Sequence, residues 1–442
     1  MNISDLYNIF LKYPNICTDS RKLIDNSIFF ALKGENFDGN RYAIKALDRC
    51  KFAVVDEEEF AIDERFILVD DVLFTLQELA KYHREKLDLS IIAITGTNGK
   101  TTTKELINTI LDTQFEVVAT NGNFNNHIGV PITLLKMNKK TDIGVVEMGA
   151  NHIGEIKELC EIAKPNYGII TNVGKAHLEG FGSFEGVKKA KSELYKFLSD
   201  NKGLAFINND NEILEDLNPP SRVIFYGSTG FNHCQGKLLN SDLHLKFKWV
   251  STEDMSFDDE KIDWNKKTRE INTKIFGDYN FENALAAACV ANHFGISELN
   301  IKKAIEDYIP INNRSQLIKK QSNTIILDAY NANPTSMKIA IEGFANKSFE
   351  NKTIILGDML ELGSKSVIEH TMLLSLVASC KFDKVFLIGD NFFSFKEKYS
   401  KFNWFVNIDD FISSIKNNPI KSSTILIKGS RKNALEKLIE YL

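Results

Sequence analysis

Gly96-Thr97-Asn98-Gly99-Lys100-Thr101-Thr102 sets two glycines, a lysine and hydroxyls in one short run. That combination suits phosphate binding. Glycines let the backbone curl so that several N–H groups converge on an anion, the lysine reaches the β- and γ-phosphates, and the first hydroxyl ligates Mg²⁺. Ile94 stands where the longer P-loop has its first glycine, so this is a shorter variant. Glu147 closes the apolar run Ile143-Gly144-Val145-Val146. An acid there either holds Mg²⁺, directly or through water, or is a solvated carboxylate at a strand end. His177 lies in the glycine-rich stretch Gly174 to Gly182, as a metal or phosphate contact or a plain loop residue.

Lys191 carries a less usual signal. Val187, Lys191, Leu194 and Leu198 recur at helical spacing, which puts the lysine on an apolar stripe. An inward lysine needs a partner or a lowered pKa. Its neutral amine can add CO₂ and become a carbamate, a carboxylate ligand for a hard cation. The other reading is a stem lying on the stripe with its ammonium snorkelling to the helix edge. Asn280 and Asn283 lie three apart before an alanine-rich helix and either read a base edge or cap the helix.

The elements that must position these groups form an α/β pattern. Leu89 to Ile94 reads as a buried parallel strand and Thr101 to Leu111 as the helix after it, so the phosphate loop meets a helix N-terminus. Strands follow at Phe115 to Ala119, Ile143 to Gly149 and Tyr167 to Val173, with a helix from Asn283 to His293. Leu243 to Trp249 alternates like an edge strand, and Asp258 to Lys261 reads as a hairpin turn. His233 and His244 read as structural or solvated.

Before this region, Ser27 to Leu32, Phe52 to Val55 and Phe66 to Val69 read as strands and Asn40 to Cys50 as helical. The loops Thr18-Asp19-Ser20-Arg21 and Lys33-Gly34-Glu35-Asn36-Phe37-Asp38-Gly39 flank the first strand and are either surface turns or contacts to an anionic ligand. After Pro310, four strands at Thr324 to Leu327, Thr353 to Leu356, Val385 to Ile388 and Thr424 to Ile427 make a second open sheet. Each ends in a polar or glycine-rich loop, where α/β sheets bind ligands.

Of the 442 residues, 43% are hydrophobic and 26% charged, the profile of a globular protein with room for two to four domains. The net charge of −5 is interspersed and offers no basic surface for nucleic acid. The six cysteines form no C-x-x-C pair and read as reduced core thiols. No run is apolar enough to span a membrane and the start carries no signal-like segment, so the expected location is cytoplasmic.

These motifs together resemble the Mur ligase family, ATP-dependent amide-bond ligases of bacterial cell-wall synthesis. The resemblance rests on Thr95 to Thr101, Glu147, His177, Ala190-Lys191, Asn280 with Asn283, Arg314 and Asp328. It covers essentially the whole chain as three domains: 1–84 for a UDP-linked substrate, 85–309 for ATP and 310–442 completing the ligase. The runs Asn121 to Pro131, Glu147 to His152, Asp328 to Pro334 and Leu356 to Gly363 match the branch that adds a dipeptide. Tyr279 stands where the family commonly has histidine, and Arg314 lacks its usual neighbours.

The resemblance implies ATP, two Mg²⁺ sites and a carbamylated Lys191. Lys100, Lys191, His177 and Arg314 are implied at the reaction centre, with Thr101, Glu147, His177 and Lys191 serving metal. Gly96 to Thr102, Asn280, Asn283, Arg314 and Asp328 are implied to bind the nucleotide. Ser20, Arg21, Lys33, Gly34, Asp38 and Gly39 are implied to face the UDP group. Asn125, Asn126, Tyr330, Asn331 and Asn333 are further substrate contacts. The implied substrates are UDP-N-acetylmuramoyl-tripeptide and D-alanyl-D-alanine, handled by a monomer that hinges at Pro310 to Asn313.

Overall fold

The computed structural model describes residues 1–230, 232–252, 262, 264 and 268–442. The turn expected at Asp258 to Lys261 lies outside the described residues. Three α/β layers follow one another along the chain.

The first is a parallel four-stranded sheet in the order Asn15–Cys17, Ser27–Phe30, Phe52–Val55, Phe66–Leu68. Every residue of Ser27–Phe30 is buried, as the apolar run Ile28 to Phe30 requires. The helix expected over Asn40 to Cys50 is only a 3₁₀ turn, Asn40–Tyr42, and one α-turn, Ala43–Ala46. The helix Val72–Lys86 starts at Asp71, whose carboxylate accepts from Phe74 N at 2.7 Å. It joins the first layer to the second: Leu6, Phe10, Ile28 and Phe30 share one core with Leu134, Ile156 and Leu159. The boundary expected after residue 84 therefore cuts the last turn of a helix that belongs to both layers.

The second layer is a sheet of nine strands among the described residues. Ser90–Thr95 lies between Ile143–Glu147 and Tyr167–Ile170, parallel to both. From Ser90–Thr95 the chain runs out to Val117–Ala119 on the edge, returns to Ile143–Glu147, then crosses to Tyr167–Ile170 on the other side. The order thus switches at the carboxyl end of Ser90–Thr95, where α/β sheets open a ligand crevice. Ile91 and Ala93 enter the core on one face, and Ile92 and Ile94 enter the core on the other. Burial on both faces explains the continuous apolar run.

The alternating stretch near Leu243 forms the strand Lys246–Ser251, which is not an edge. It pairs with Cys234–Leu239 on one side and Arg269–Asn272 on the other. Its alternation records that Phe247 and Trp249 face the core, and one-sided burial occurs in interior antiparallel strands too.

The third layer has six strands ordered Gln316–Lys320, Asn323–Asp328, Thr424–Lys428, Lys352–Gly357, Lys384–Ile388, Asn403–Phe405. The four expected strands form its centre, and the antiparallel Gln316–Lys320 and the short Asn403–Phe405 complete its edges. Among the described residues the six cysteines form no disulfide, and five of them are buried. Among the described residues no helix is long and apolar enough to cross a membrane.

Candidate active cleft

The buried strand Ser90–Thr95 delivers the glycine loop to the switch point. Gly96 has φ +137° and Gly99 φ +81°. A Cβ at Gly96 would lie 2.1 Å from Thr171 Oγ1, and one at Gly99 would lie 2.3 Å from Asn283 Oδ1. Both positions need glycine for conformation and for space. Asn172 pins the loop, its carbonyl accepting from Thr97 N at 2.9 Å and its Oδ1 from Asn98 N at 3.0 Å. The helix Lys100–Leu111 begins at once, so its free N–H groups face the same space.

Lys100 curls back, donating from Nζ to Gly96 O at 2.7 Å and Thr97 O at 3.0 Å. Burial pushes its pKa down to about 8; Glu147 opposes the shift and Arg314 adds to it. Glu147 is 1% exposed. Its Oε1 accepts from Thr101 Oγ1 at 3.1 Å and from Asn125 Nδ2 at 2.8 Å, while Oε2 is buried without a partner among the described residues. A buried carboxylate oxygen left bare is costly unless a cation meets it. Carboxylate and hydroxyl are the hard oxygen donors that Mg²⁺ takes. No three His, Cys, Asp or Glu side chains cluster for a metal among the described residues. Phosphate oxygens and water would complete such a set, as is usual for Mg²⁺.

Lys191 comes from the helix Phe184–Asp200, which is capped by Ser183 accepting from Gly186 N. It is 3% exposed and does not snorkel. Its Nζ sits 5.7 Å from the Phe181 ring centroid and makes no hydrogen bond to a described residue. Burial, then repulsion by Lys100, pushes its pKa down to about 7, against the pull of Glu155 and Glu193. A substantial share of the amine is therefore neutral near pH 7.

Asn280 and Asn283 do not cap the following helix, Phe281–His293, through their side chains. Asn280 Nδ2 donates to Phe276 O and Ser315 Oγ, Asn283 Nδ2 donates to Asn280 Oδ1, and Thr103 Oγ1 donates to Asn283 Oδ1. This chain of bonds ties the third layer's first residues to the floor under Gly99. Tyr279 joins it through Ser315 Oγ at 2.8 Å.

The third layer closes over the loop. Asn333 caps the helix Pro334–Ala345 and donates from Nδ2 to Asn98 Oδ1 at 2.8 Å. Arg314 stacks on Tyr330, with Cζ 3.9 Å from the ring centroid, and its Nε is buried without a partner among the described residues. Asp328 Oδ1 accepts from Ser315 N at 3.2 Å, and Oδ2 pairs with the buried Lys428 at 2.5 Å. Lys175 pairs with Glu369 at 2.9 Å. His177, at φ +47°, sets Nδ1 2.7 Å from Glu361 Oε2, and this partner holds the Glu361 carboxyl below its ordinary range. The expected hinge, Pro310 to Asn313, carries no regular structure but is anchored, since Tyr308 and Asn312 both donate to Glu105.

One cleft of about 540 Å³ gathers Gly96 to Thr102, Asn125, Asn126, Glu147, His177, Lys191, Asn280 and Asn283 with Arg314, Asp328, Tyr330, Asn331 and Asn333. The N-terminal candidates Ser20, Arg21, Lys33, Gly34, Asp38 and Gly39 do not line it. Arg21 pairs with Asp19, and Lys33 with Asp56 and Glu57, within the first layer. Glu361, Glu155, Ser315 and Lys428 line the cleft and are not among the sequence candidates. Of these Glu361 and Lys428 carry a sequence signal, each a charged residue in the loop after an expected strand. A wider groove of about 880 Å³ lies at the other end of the central sheet, beside the first residues Ser90, Tyr167 and Leu204 of three strands. That is the end away from the phosphate loop.

Comparison with known proteins gives a consistent answer. The profile of the Mur ligase middle domain matches residues 94–291, and that of the Mur ligase, glutamate ligase domain, matches 313–431. UDP-N-acetylmuramoyl-tripeptide–D-alanyl-D-alanine ligase of Bacillus subtilis strain 168 is 35% identical, covering 97% of this chain and 92% of its own. A crystal structure of MurF from Acinetobacter baumannii superposes with a TM-score of 0.83 at 31% identity, covering 96% of this chain and 92% of its own. The MurF ligase of Thermotoga maritima in complex with ADP shares the fold, with a TM-score of 0.82 at 24% identity over 98% and 97% of the two chains.

Proposed function

We propose that this chain, which belongs to the Mur ligase family, joins D-alanyl-D-alanine to UDP-N-acetylmuramoyl-tripeptide at the expense of ATP, in cytoplasmic peptidoglycan precursor synthesis. The observation that carries the reading is the meeting, in one cleft, of the phosphate loop, Glu147 and Lys191 with Arg314, Asp328 and Glu361 of the third layer.

The reaction has two steps. A terminal carboxylate oxygen of the tripeptide attacks the γ-phosphorus of ATP; the new O–P bond gives an acyl phosphate as the β–γ bond breaks and ADP leaves. The dipeptide amine then attacks the acyl carbon, the amide bond forms, and phosphate leaves as the amine sheds its proton. The first step brings anions together, so positive charge must surround it. Lys100, once its Nζ leaves the loop carbonyls for the phosphates, and Arg314, reaching from the third layer, supply that charge. The loop N–H groups and the start of the helix Lys100–Leu111 hold the β- and γ-phosphates. Asn280 and Asn283 with Asp328 bound the nucleoside end. Closure of the third layer through Asn333, Lys175 and Glu361 excludes water from the acyl phosphate.

Mg²⁺ bound by Glu147 and Thr101, with a second ion served by His177 and Lys191, would draw charge from the phosphate oxygens. Lys191 serves as a carbamate, formed when its neutral Nζ adds CO₂ and releases a proton. Residues 1–84, with Ser20, Arg21 and the Lys33 to Gly39 loop, receive the UDP group. Residues 85–309 bind ATP, residues 310–442 receive the dipeptide, and the enzyme works as a monomer.

The test is phosphate release from ATP with UDP-N-acetylmuramoyl-tripeptide, with and without D-alanyl-D-alanine. Release should need the UDP substrate and accelerate with the dipeptide; release indifferent to both rejects a ligase. For the carbamate, Lys191→Ala should lose activity and regain part of it in short-chain carboxylates, whereas near-full activity without them refutes it.

A further inference from the structure

The reaction proposed above requires an acceptor that is a zwitterion, with an ammonium at one end and a carboxylate at the other. The third layer holds two groups of the matching charges on one platform. Leu360 N donates to Ser430 Oγ at 3.0 Å, Ser430 N donates to Asp358 O at 3.2 Å, and Asn433 Nδ2 donates to the same carbonyl at 2.9 Å. Gly429 packs so closely that a Cβ on it would lie 2.9 Å from Gly357 Cα. The loops after Lys352–Gly357 and after Thr424–Lys428 are therefore one rigid unit. Glu361 follows Leu360 on the first loop, and Arg431 follows Ser430 on the second.

Both groups remain available. The Glu361 side chain is 61% exposed, and among the described residues only its Oε2 is engaged, by His177. The other cleft acid of the third layer, Asp328, is already committed to Lys428 and Ser315 N. Arg431 is exposed and makes no ion pair among the described residues. Its Cζ lies 5.3 Å from the centroid of the Tyr330 ring, which lines the cleft. Glu361 is held at φ +64°, an uncommon conformation for a residue with a side chain, with its Oε2 against His177.

We propose that Glu361 and Arg431 are the acceptor-binding pair: Glu361 takes the dipeptide ammonium and Arg431 its terminal carboxylate. The inference rests on the ligase reading. Glu361 reaches His177, so an ammonium held there lies on the side where the acyl phosphate forms. Arg431 offers a planar fork that matches a carboxylate. Acceptors without a free carboxylate lose that contact.

The experiment compares D-alanyl-D-alanine with its C-terminal amide in wild type, Arg431→Gln and Arg431→Lys, using the full chain. Wild type should prefer the free acid by roughly tenfold or more in kcat/KM. Arg431→Gln should abolish that preference by lowering kcat/KM for the acid alone, and Arg431→Lys should keep part of it. Arg431→Gln lowering both acceptors equally, or neither, overturns the assignment, as does a raised KM for the UDP substrate. Glu361→Gln should raise KM for the dipeptide by about tenfold with KM for ATP unchanged. A raised KM for ATP with an unchanged dipeptide KM would show that Glu361 acts only through His177. Failure of the ligase reading is separate: wild type would then release no phosphate in response to the dipeptide.

Discussion

Gly99→Ala tests the steric logic of the phosphate loop. Two penalties meet at this position. Gly99 has φ +81°, where an L-residue costs about 1–2 kcal/mol. The added Cβ would also lie 2.3 Å from Asn283 Oδ1, so that side chain must leave. Its departure breaks the bond from Thr103 at 3.1 Å and the bond to Asn280 at 3.0 Å, stranding buried polar groups at about 1–3 kcal/mol. The sum is a loss of about 2–5 kcal/mol. Gly122 separates the two terms, because it has φ +54° with nothing within 4 Å of an added Cβ. Gly122→Ala should therefore cost only about 1–2 kcal/mol. Asn283→Ala removes the group that is struck, so Gly99→Ala should cost about 1–3 kcal/mol less in that background. Urea unfolding followed by tryptophan fluorescence, to which the buried Trp249 of this layer contributes, reads these costs. A coupling between the two substitutions within about 0.5 kcal/mol of zero refutes the steric argument.

In CO₂-depleted buffer, where Lys191 is a free amine, Lys191→Met should stabilise the protein near neutral pH, and in the ligation assay it should remove activity. The native pKa of Lys191 is about 7 against 10.5 unfolded, so the unfolded chain binds more protons between these values and wild-type stability rises with pH through that window. The gain of the variant should thus be largest at or below pH 7 and shrink toward pH 10.5; thermal melts showing a pH-independent gain contradict it. Glu147→Gln should cut the ligation rate by about a hundredfold or more and weaken its dependence on Mg²⁺, since the orphan Oε2 loses its charge; titration of the rate with Mg²⁺ reads this, and an unchanged midpoint speaks against a metal at Glu147. Arg84 donates to Ala163 O, Leu87 O, Lys164 O and Asn166 Oδ1 at the sheet end away from the cleft. Arg84→Ala should cost about 3 kcal/mol in denaturant unfolding with KM for ATP unchanged, and a raised KM would mean the two ends are coupled.

Local physics by itself determined much of this protein. The run Ser90 to Thr95 is apolar at every interior position because it is covered on both faces, and Gly96 and Gly99 mark backbone angles and close approaches that only glycine meets. Such signals are short-range, so the phosphate loop, the strand-end Glu147 and the alternation of strand and helix are legible residue by residue. Lys191 was half legible: its spacing put it on the apolar stripe, but only the packing of Phe181 and the neighbouring helices decided that it stays buried. Alternation around Phe247 disclosed one-sided burial and could not disclose that Arg269–Asn272 covers the next edge. Contacts between layers were settled by tertiary structure alone. His177 meets Glu361 and Asn98 meets Asn333, partners separated by roughly 180 residues or more. No periodicity encodes such pairs, because they arise only when separately formed sheets dock. The same docking leaves Ser20, Arg21 and the Lys33 to Gly39 loop outside the cleft, on a layer joined to the centre by the helix Val72–Lys86.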